Sequence, residues 1–151
     1  CIAVGPWFIV ESAPEQSQLI ATARKVNDNK PEWVVKKVFE EIERNKINNP
    51  TIACLGLSYK SDTDDTRGSP AVDIVKKLLK EDVSKIIVIE PNIDILPSEL
   101  AVYDNIELLK ELEIGISRSD VVLVLVNHKE FKAINKKNNK IIINMVSEHD
   151  S

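Results

Sequence analysis

Three uninterrupted apolar runs, Ile52–Leu57, Ile86–Ile89 and Val121–Val126, constrain this chain more than any other feature. A strand with one wet face alternates apolar and polar residues, and these runs do not alternate. They read as strands covered on both sides, which is the pattern of a parallel sheet. The segments between them carry a helical period instead. Val72, Ile74, Val75, Leu78 and Leu79 place an apolar stripe on a helix over Pro70–Lys80, and Ile106–Ser117 reads as a second helix. A short helical stretch, Glu130–Ile134, then leads to one more strand at Ile141–Ile143. Strand and helix in alternation predict an α/β fold, a Rossmann-like doubly wound parallel sheet. Crossovers in such sheets are right-handed, and ligands sit beyond the carboxyl ends of the strands. Tyr59-Lys60, Glu90-Pro91 and Asn127-His128 are therefore expected on one rim.

The first third has a different texture. Trp7–Val10 reads as a short apolar strand, after which Ser12 and Pro14 suit the cap and first turn of a helix. Leu19, Ile20, Ala23 and Val26 follow at helical spacing, and Val34, Val35, Val38, Phe39 and Ile42 form a second stripe ending near Arg44. Pro31 separates them: it either starts a new helix or kinks one long one. The sheet is thus expected to be preceded by a long helix or helix pair, whose stripe needs a cover from a second subunit or from sequence ahead of residue 1. The polar stretch Asn45–Pro50 sets a boundary between residues 1–49 and an α/β unit at 50–151.

Several classes are disfavoured at this level. A net charge of −4 and a pI near 5.3 argue against a nucleic-acid surface, and no apolar run approaches the ~18 residues of a membrane span. A cytoplasmic protein without nucleic-acid or membrane partners is expected. The glycines, Gly5, Gly56, Gly68 and Gly115, form no G-x-G-x-x-G, so this sheet is not expected to hold NAD in the usual way. Asp62, Asp64 and Asp65 lack the register of a calcium loop, and no metal is expected. Cys54 lies inside an apolar run and reads as a small core residue. Ser69 is placed to cap the helix that Pro70 opens, and His128 reads equally as a rim contact or a surface histidine. The chain starts at Cys1 and its one methionine is Met145, so it is expected to be part of a longer protein.

Cys1-Ile-Ala-Val-Gly-Pro-Trp-Phe-Ile-Val10, Ala23-Arg-Lys-Val-Asn-Asp-Asn-Lys-Pro31, Gly56-Leu-Ser-Tyr-Lys-Ser-Asp-Thr-Asp-Asp-Thr-Arg-Gly-Ser-Pro-Ala71 and Leu125-Val-Asn-His-Lys-Glu-Phe131 resemble the UDP-glucose/GDP-mannose dehydrogenase family, over its carboxyl-terminal half. The resemblance implies an enzyme that oxidises a sugar CH2OH to a carboxylate with two NAD+. It implies a part ahead of this chain that binds NAD, a central helical part and a UDP-sugar-binding part. Residues 1–49 would be the tail of the central catalytic and dimerisation region, and 50–151 the UDP-sugar-binding part, inactive without the NAD-binding part. By the same match Cys1 is the nucleophile, Tyr59 and Lys60 contact the UDP-sugar, Arg67 reaches towards NAD, and a homodimer forms through the helix of residues 15–44. The plain alternatives are a small apolar residue at Cys1, a solvated Lys60 beside a rim tyrosine, and an Arg67 paired with Asp64 or Asp65. The chain departs from the family at Gly5, where an aspartate is usual, at Asn144 in place of an aspartate, and in the tail from Met145 to Ser151. Gly5 puts turnover in doubt, so a noncatalytic UDP-sugar-binding and dimerisation module is the competing reading.

Overall fold

The computed structural model describes residues 4–134 and 140–146. Helices α1 (Gly5–Ser12), α2 (Gln18–Asp28) and α3 (Lys30–Arg44) precede β1 (Thr51–Leu55), α4 (Pro70–Leu78) and β2 (Lys85–Ile89). Next come β3 (Ile106–Leu109), α5 (Leu112–Ser117), β4 (Val121–Val124), a 3-10 helix (Lys129–Ala133) and β5 (Ile141–Asn144). The five strands form one parallel sheet in the order β3-β2-β1-β4-β5. The chain winds outward from β1 through β2 to β3, then returns to the other side of β1 for β4 and β5. This is the expected doubly wound fold, with its switch point between β1 and β4.

Alternation along each strand divides the core. Ile52 and Cys54 of β1, Ile86 and Val88 of β2 and Leu123 of β4 face α3 and α4. Ala53, Leu55, Ile87, Ile89, Val122 and Val124 face the opposite layer with Ile116 and Phe131. Cys54 is fully buried as expected, and burial pushes its thiol pKa up to about 12, so it is chemically inert.

Helix α4 starts where its residues dictate. Ser69 is extended, its hydroxyl oxygen accepts from the Ala71 amide, Pro70 fills the first position, and Lys76 and Lys77 lie in the last turn. Pro31 starts a new helix rather than kinking an old one: α2 ends at Asp28, and Pro31 stands in the first turn of α3. The α3 stripe finds its cover within the chain. Val34, Val35, Val38 and Ile42 are buried in one cluster with Ala71, Ile74, Val75 and Leu78 of α4, so neither a second subunit nor upstream sequence is needed there. No residue of α2 is buried, and Leu19 and Val26 stay exposed.

Three further expectations are corrected. Trp7–Val10 is helix, inside α1, not strand; four apolar residues in a row do not distinguish the two. Ser12 does not cap a following helix, because it ends α1 and donates its hydroxyl to Phe8; the next helix begins at Gln18, not at Pro14. Ile106–Ser117 is not one helix. Ile106–Leu109 pairs with Ile86–Ile89 as edge strand β3, and only Leu112–Ser117 is helical.

The β3 edge is fastened by charge. Arg118 makes a bidentate contact with Glu107 at 2.9 and 2.7 Å, and Lys85 approaches the same carboxylate at 2.5 Å. The Arg118 guanidinium, with Lys85, pulls the Glu107 pKa down to about 2. A carboxylate depressed in the folded state stabilises above its unfolded pKa of about 4.3 and loses that contribution as pH falls towards the folded value. Glu107→Gln is therefore expected to cost about 1 kcal/mol at neutral pH, with the gap to wild type closing between about pH 4 and pH 2. Urea midpoints of both proteins across that range check it.

Candidate functional site

At the switch point the chain leaves β1 through Gly56 and enters a loop whose backbone is tied at both ends. Leu57 and Ser58 donate their amides to Glu90 Oε2 at 2.8 and 3.2 Å. The Ser58 hydroxyl donates to the Lys60 carbonyl at 2.7 Å, and the Tyr59 amide donates to the Asp65 carbonyl at 2.7 Å. Asp62, in the left-handed region at φ 57, donates its amide to His128 Nδ1 at 2.8 Å. Between these anchors Tyr59 is half-buried and Lys60 is exposed.

Two clefts meet at this dipeptide. One, of about 450 Å³, lies between Ser58–Ser61 and Leu125–Asn127, with Lys30 and the start of α4 along its side. The other, of about 610 Å³, is walled by Arg24, Asn27, Asp28 and Pro31 opposite Gly68 and Asp73. Tyr59 and Lys60 line both. Among the described residues the Lys60 ammonium has no ion-pair partner, whereas the Lys30 ammonium lies 3.8 Å from the centre of the Trp33 ring.

Beneath the loop is a pair the sequence reading did not find. Glu90 and His128 are both fully buried, with Nε2 at 2.9 Å from Oε2. Because Nδ1 accepts from Asp62, the proton sits on Nε2 and is donated to the carboxylate. Glu90 Oε1 takes the Asn92 backbone and side-chain N–H groups at 3.1 and 3.2 Å. Burial pushes the Glu90 carboxyl up, but the bonds from His128, Leu57 and Asn92 outweigh it and hold the group below the usual value, so it is ionised. His128 is thus neither a rim contact nor a surface residue, which corrects both readings of it. The available signal was a titratable residue just beyond an aliphatic parallel strand, Glu90 directly after Ile89 and His128 two residues after Val126.

Asp62, His128 and Glu130 bring ligand-type atoms within 4.8 Å of one another. His128 Nδ1 already accepts from the Asp62 amide and Asp62 Oδ1 from the Lys129 amide at 3.1 Å, so these two atoms tie the loop down. Arg67 lies apart from both clefts' linings. It makes a bidentate contact with Asp65, at 2.8 Å from both Nε and Nη2, and its guanidinium holds the Asp65 pKa down at about 2. The turn out of β1 does not fit a dinucleotide pyrophosphate either. The open side of Gly56 is filled by Val126, whose Cβ lies 2.4 Å from where a side chain would begin. Cys1, the expected nucleophile, lies outside the described residues.

A parallel sheet with paired clefts and a lysine at the switch point has the layout of ligand-binding α/β domains. Residues 53–148 match the model of the UDP-glucose/GDP-mannose dehydrogenase family, UDP binding domain, and the chain belongs to that family. It is 53% identical over 131 residues to UDP-N-acetyl-D-mannosamine dehydrogenase of Campylobacter jejuni, an alignment covering 87% of this chain and 31% of that protein. It is 46% identical over 134 residues to NDP-N-acetyl-D-galactosaminuronic acid dehydrogenase of Ralstonia solanacearum, covering 89% and 30%. The solved UDP-D-ManNAc dehydrogenase from Pyrococcus horikoshii superposes with a TM-score of 0.78 at 28% identity, covering 98% of this chain and 35% of that one. The chain thus spans about a third of the length of these relatives. No described helix is long and apolar enough to cross a membrane.

Proposed function

We propose that this chain is the UDP-sugar-binding part of a nucleotide-sugar 6-dehydrogenase that oxidises UDP-N-acetylmannosamine to its uronic acid with two NAD+. The observation that carries the reading is the Tyr59-Lys60 dipeptide, set between two clefts at the switch point of a matched UDP binding domain. Lys60 supplies a point charge for the diphosphate and Tyr59 a flat face beside it. Isothermal titration with UDP tests this. The wild-type chain is expected to bind, and Lys60→Ala to weaken the affinity at least tenfold, about 1.4 kcal/mol. A folded chain that takes no UDP overturns the reading.

In the whole enzyme NAD+, held outside this chain, would serve twice as hydride acceptor, with the C6 hydroxyl proton passing to solvent. Cys1 would supply the thiolate that holds the sugar C6, first as a thiohemiacetal whose oxygen takes up a proton, and after oxidation as a thioester that water cleaves to the carboxylate and the thiol. NAD is held mainly outside this chain, towards which Arg67 offers its guanidinium once it exchanges Asp65 for the cofactor. On this reading the chain alone does not turn over. The homodimer forms through the helical region 15–44, but through its α2 face, because the α3 stripe is already covered.

Gly5 favours the second reading, a noncatalytic UDP-sugar-binding and dimerisation module. A Cβ built on Gly5 meets nothing within 4 Å, so an aspartate fits there without displacing anything. When the chain is joined to the part of the Campylobacter jejuni relative that it does not cover, Gly5→Asp is expected to speed thioester hydrolysis at least tenfold, read as uronate formed per enzyme. Equal rates with and without the aspartate count against its role, and no turnover in either supports the module.

A further inference from the structure

We propose that Glu90 and His128 are positioning residues for the nucleotide sugar, clamping the loop from Leu57 to Asp62 from beneath and so setting Tyr59 and Lys60 between the two clefts. The inference rests on the UDP-binding reading above. Glu90 Oε2 holds the front of the loop by the Leu57 and Ser58 amides, and His128 Nδ1 holds the rear by the Asp62 amide. The two anchors are joined by the 2.9 Å bond from Nε2 to Oε2, and Asn92 orients the carboxylate from its other oxygen. A carboxylate has about four lone-pair sites, so this one is saturated by fixed donors.

Stability alone does not account for such a pair. A fully buried ionised carboxylate pays a desolvation cost that its hydrogen bonds only offset, and apolar residues at such positions often cost no stability. What an apolar pair cannot do is accept the three loop amides. Those amides are also the groups that decide where the Tyr59 and Lys60 side chains start. Asp62 reinforces the rear anchor, since its left-handed backbone turns its amide to His128 while its carboxylate caps Lys129.

The test is a double-mutant cycle on UDP affinity in the 151-residue chain, run well below the melting temperature. Glu90→Gln puts an N–H2 where donors converge, and is expected to weaken UDP binding at least tenfold. The double variant Glu90→Gln/Lys60→Ala is expected to bind no more than twofold more weakly than Lys60→Ala, because both act through one contact. Val83→Ala, at the opposite end of the sheet, lowers stability and is expected to leave UDP affinity unchanged. If wild type binds UDP and Glu90→Gln binds it equally well, or if the two losses multiply, the clamp is overturned. If wild type binds no UDP, the underlying reading fails and the clamp with it. Should Glu90→Gln not fold, His128→Gln replaces it, keeping a donor for Glu90 but losing the acceptor for Asp62. Faster amide exchange at Asp62 with at least fivefold weaker UDP binding is then expected, and unchanged affinity overturns the proposal.

Discussion

Gly56→Ala is expected to cost about 3–4 kcal/mol and to lower the melting temperature by about 10 °C, although it adds one methyl group. Two independent penalties coincide. Gly56 has φ 91, where an alanine pays about 1–2 kcal/mol in backbone strain. Its Cβ would also sit 2.4 Å from Val126 Cβ and 3.2 Å from Val126 Cα, so strand ends must separate to admit it, a further cost of about 1–3 kcal/mol. With total stabilities of about 5–15 kcal/mol, this is a large fraction of the whole. Guanidinium unfolding measures it, and a second background separates the parts. Against Val126→Gly, which removes the 2.4 Å clash but keeps the Cα at 3.2 Å, the same substitution is expected to cost mainly the backbone share, about 1–2 kcal/mol. A penalty unchanged in that background would mean that the close approach to Val126 contributes nothing.

The second large effect concerns α3. Val38 has no exposed surface and packs with Val34, Ile42 and α4. Val38→Asp places an unpaired carboxylate in that layer and is expected to cost about 4 kcal/mol or more, enough to undock the helix. UDP affinity is expected to fall with it, since Lys30 and Val34 line the first cleft and Pro31 the second. Leu19→Asp, one helix earlier and 83% exposed, is expected to change the stability of the chain by less than about 0.5 kcal/mol. Denaturant curves for the pair decide whether α3 belongs to the α/β core energetically as well as geometrically.

The contrast shows what could be read before any coordinates. The aliphatic runs announced β1, β2 and β4 because burial on both faces leaves no other composition, and Ser69-Pro70 announced α4 because its capping chemistry is local. β3 was hidden because an edge strand is only half-covered, and Ile106, Leu109 and Leu112 also satisfy a helical period. α1 was hidden for the opposite reason: its apolar run is too short to carry a period. The cover of α3 was illegible because both α3 and α4 show a stripe, and only the tertiary fold says that the stripes meet. Tyr59 and Lys60 could be placed on the rim by topology. Glu90 and His128 were placed there too, but sequence does not show a side chain turning inward, and they are 38 positions apart.

The sheet order also has a consequence in time. β1 occupies the middle, and its two neighbours pair with it across long stretches of chain, Ile52 with Ile86 and Ile52 with Val121. At synthesis rates of roughly 5–20 residues per second, β1 leaves the ribosome several seconds before β4 exists. During that interval one edge of the central strand has no hydrogen-bonding mate, and folding must wait on a distant segment. The strand made first lacks its second neighbour until β4 is made, so nascent chains stalled before residue 121 are the species that should associate with chaperones most strongly.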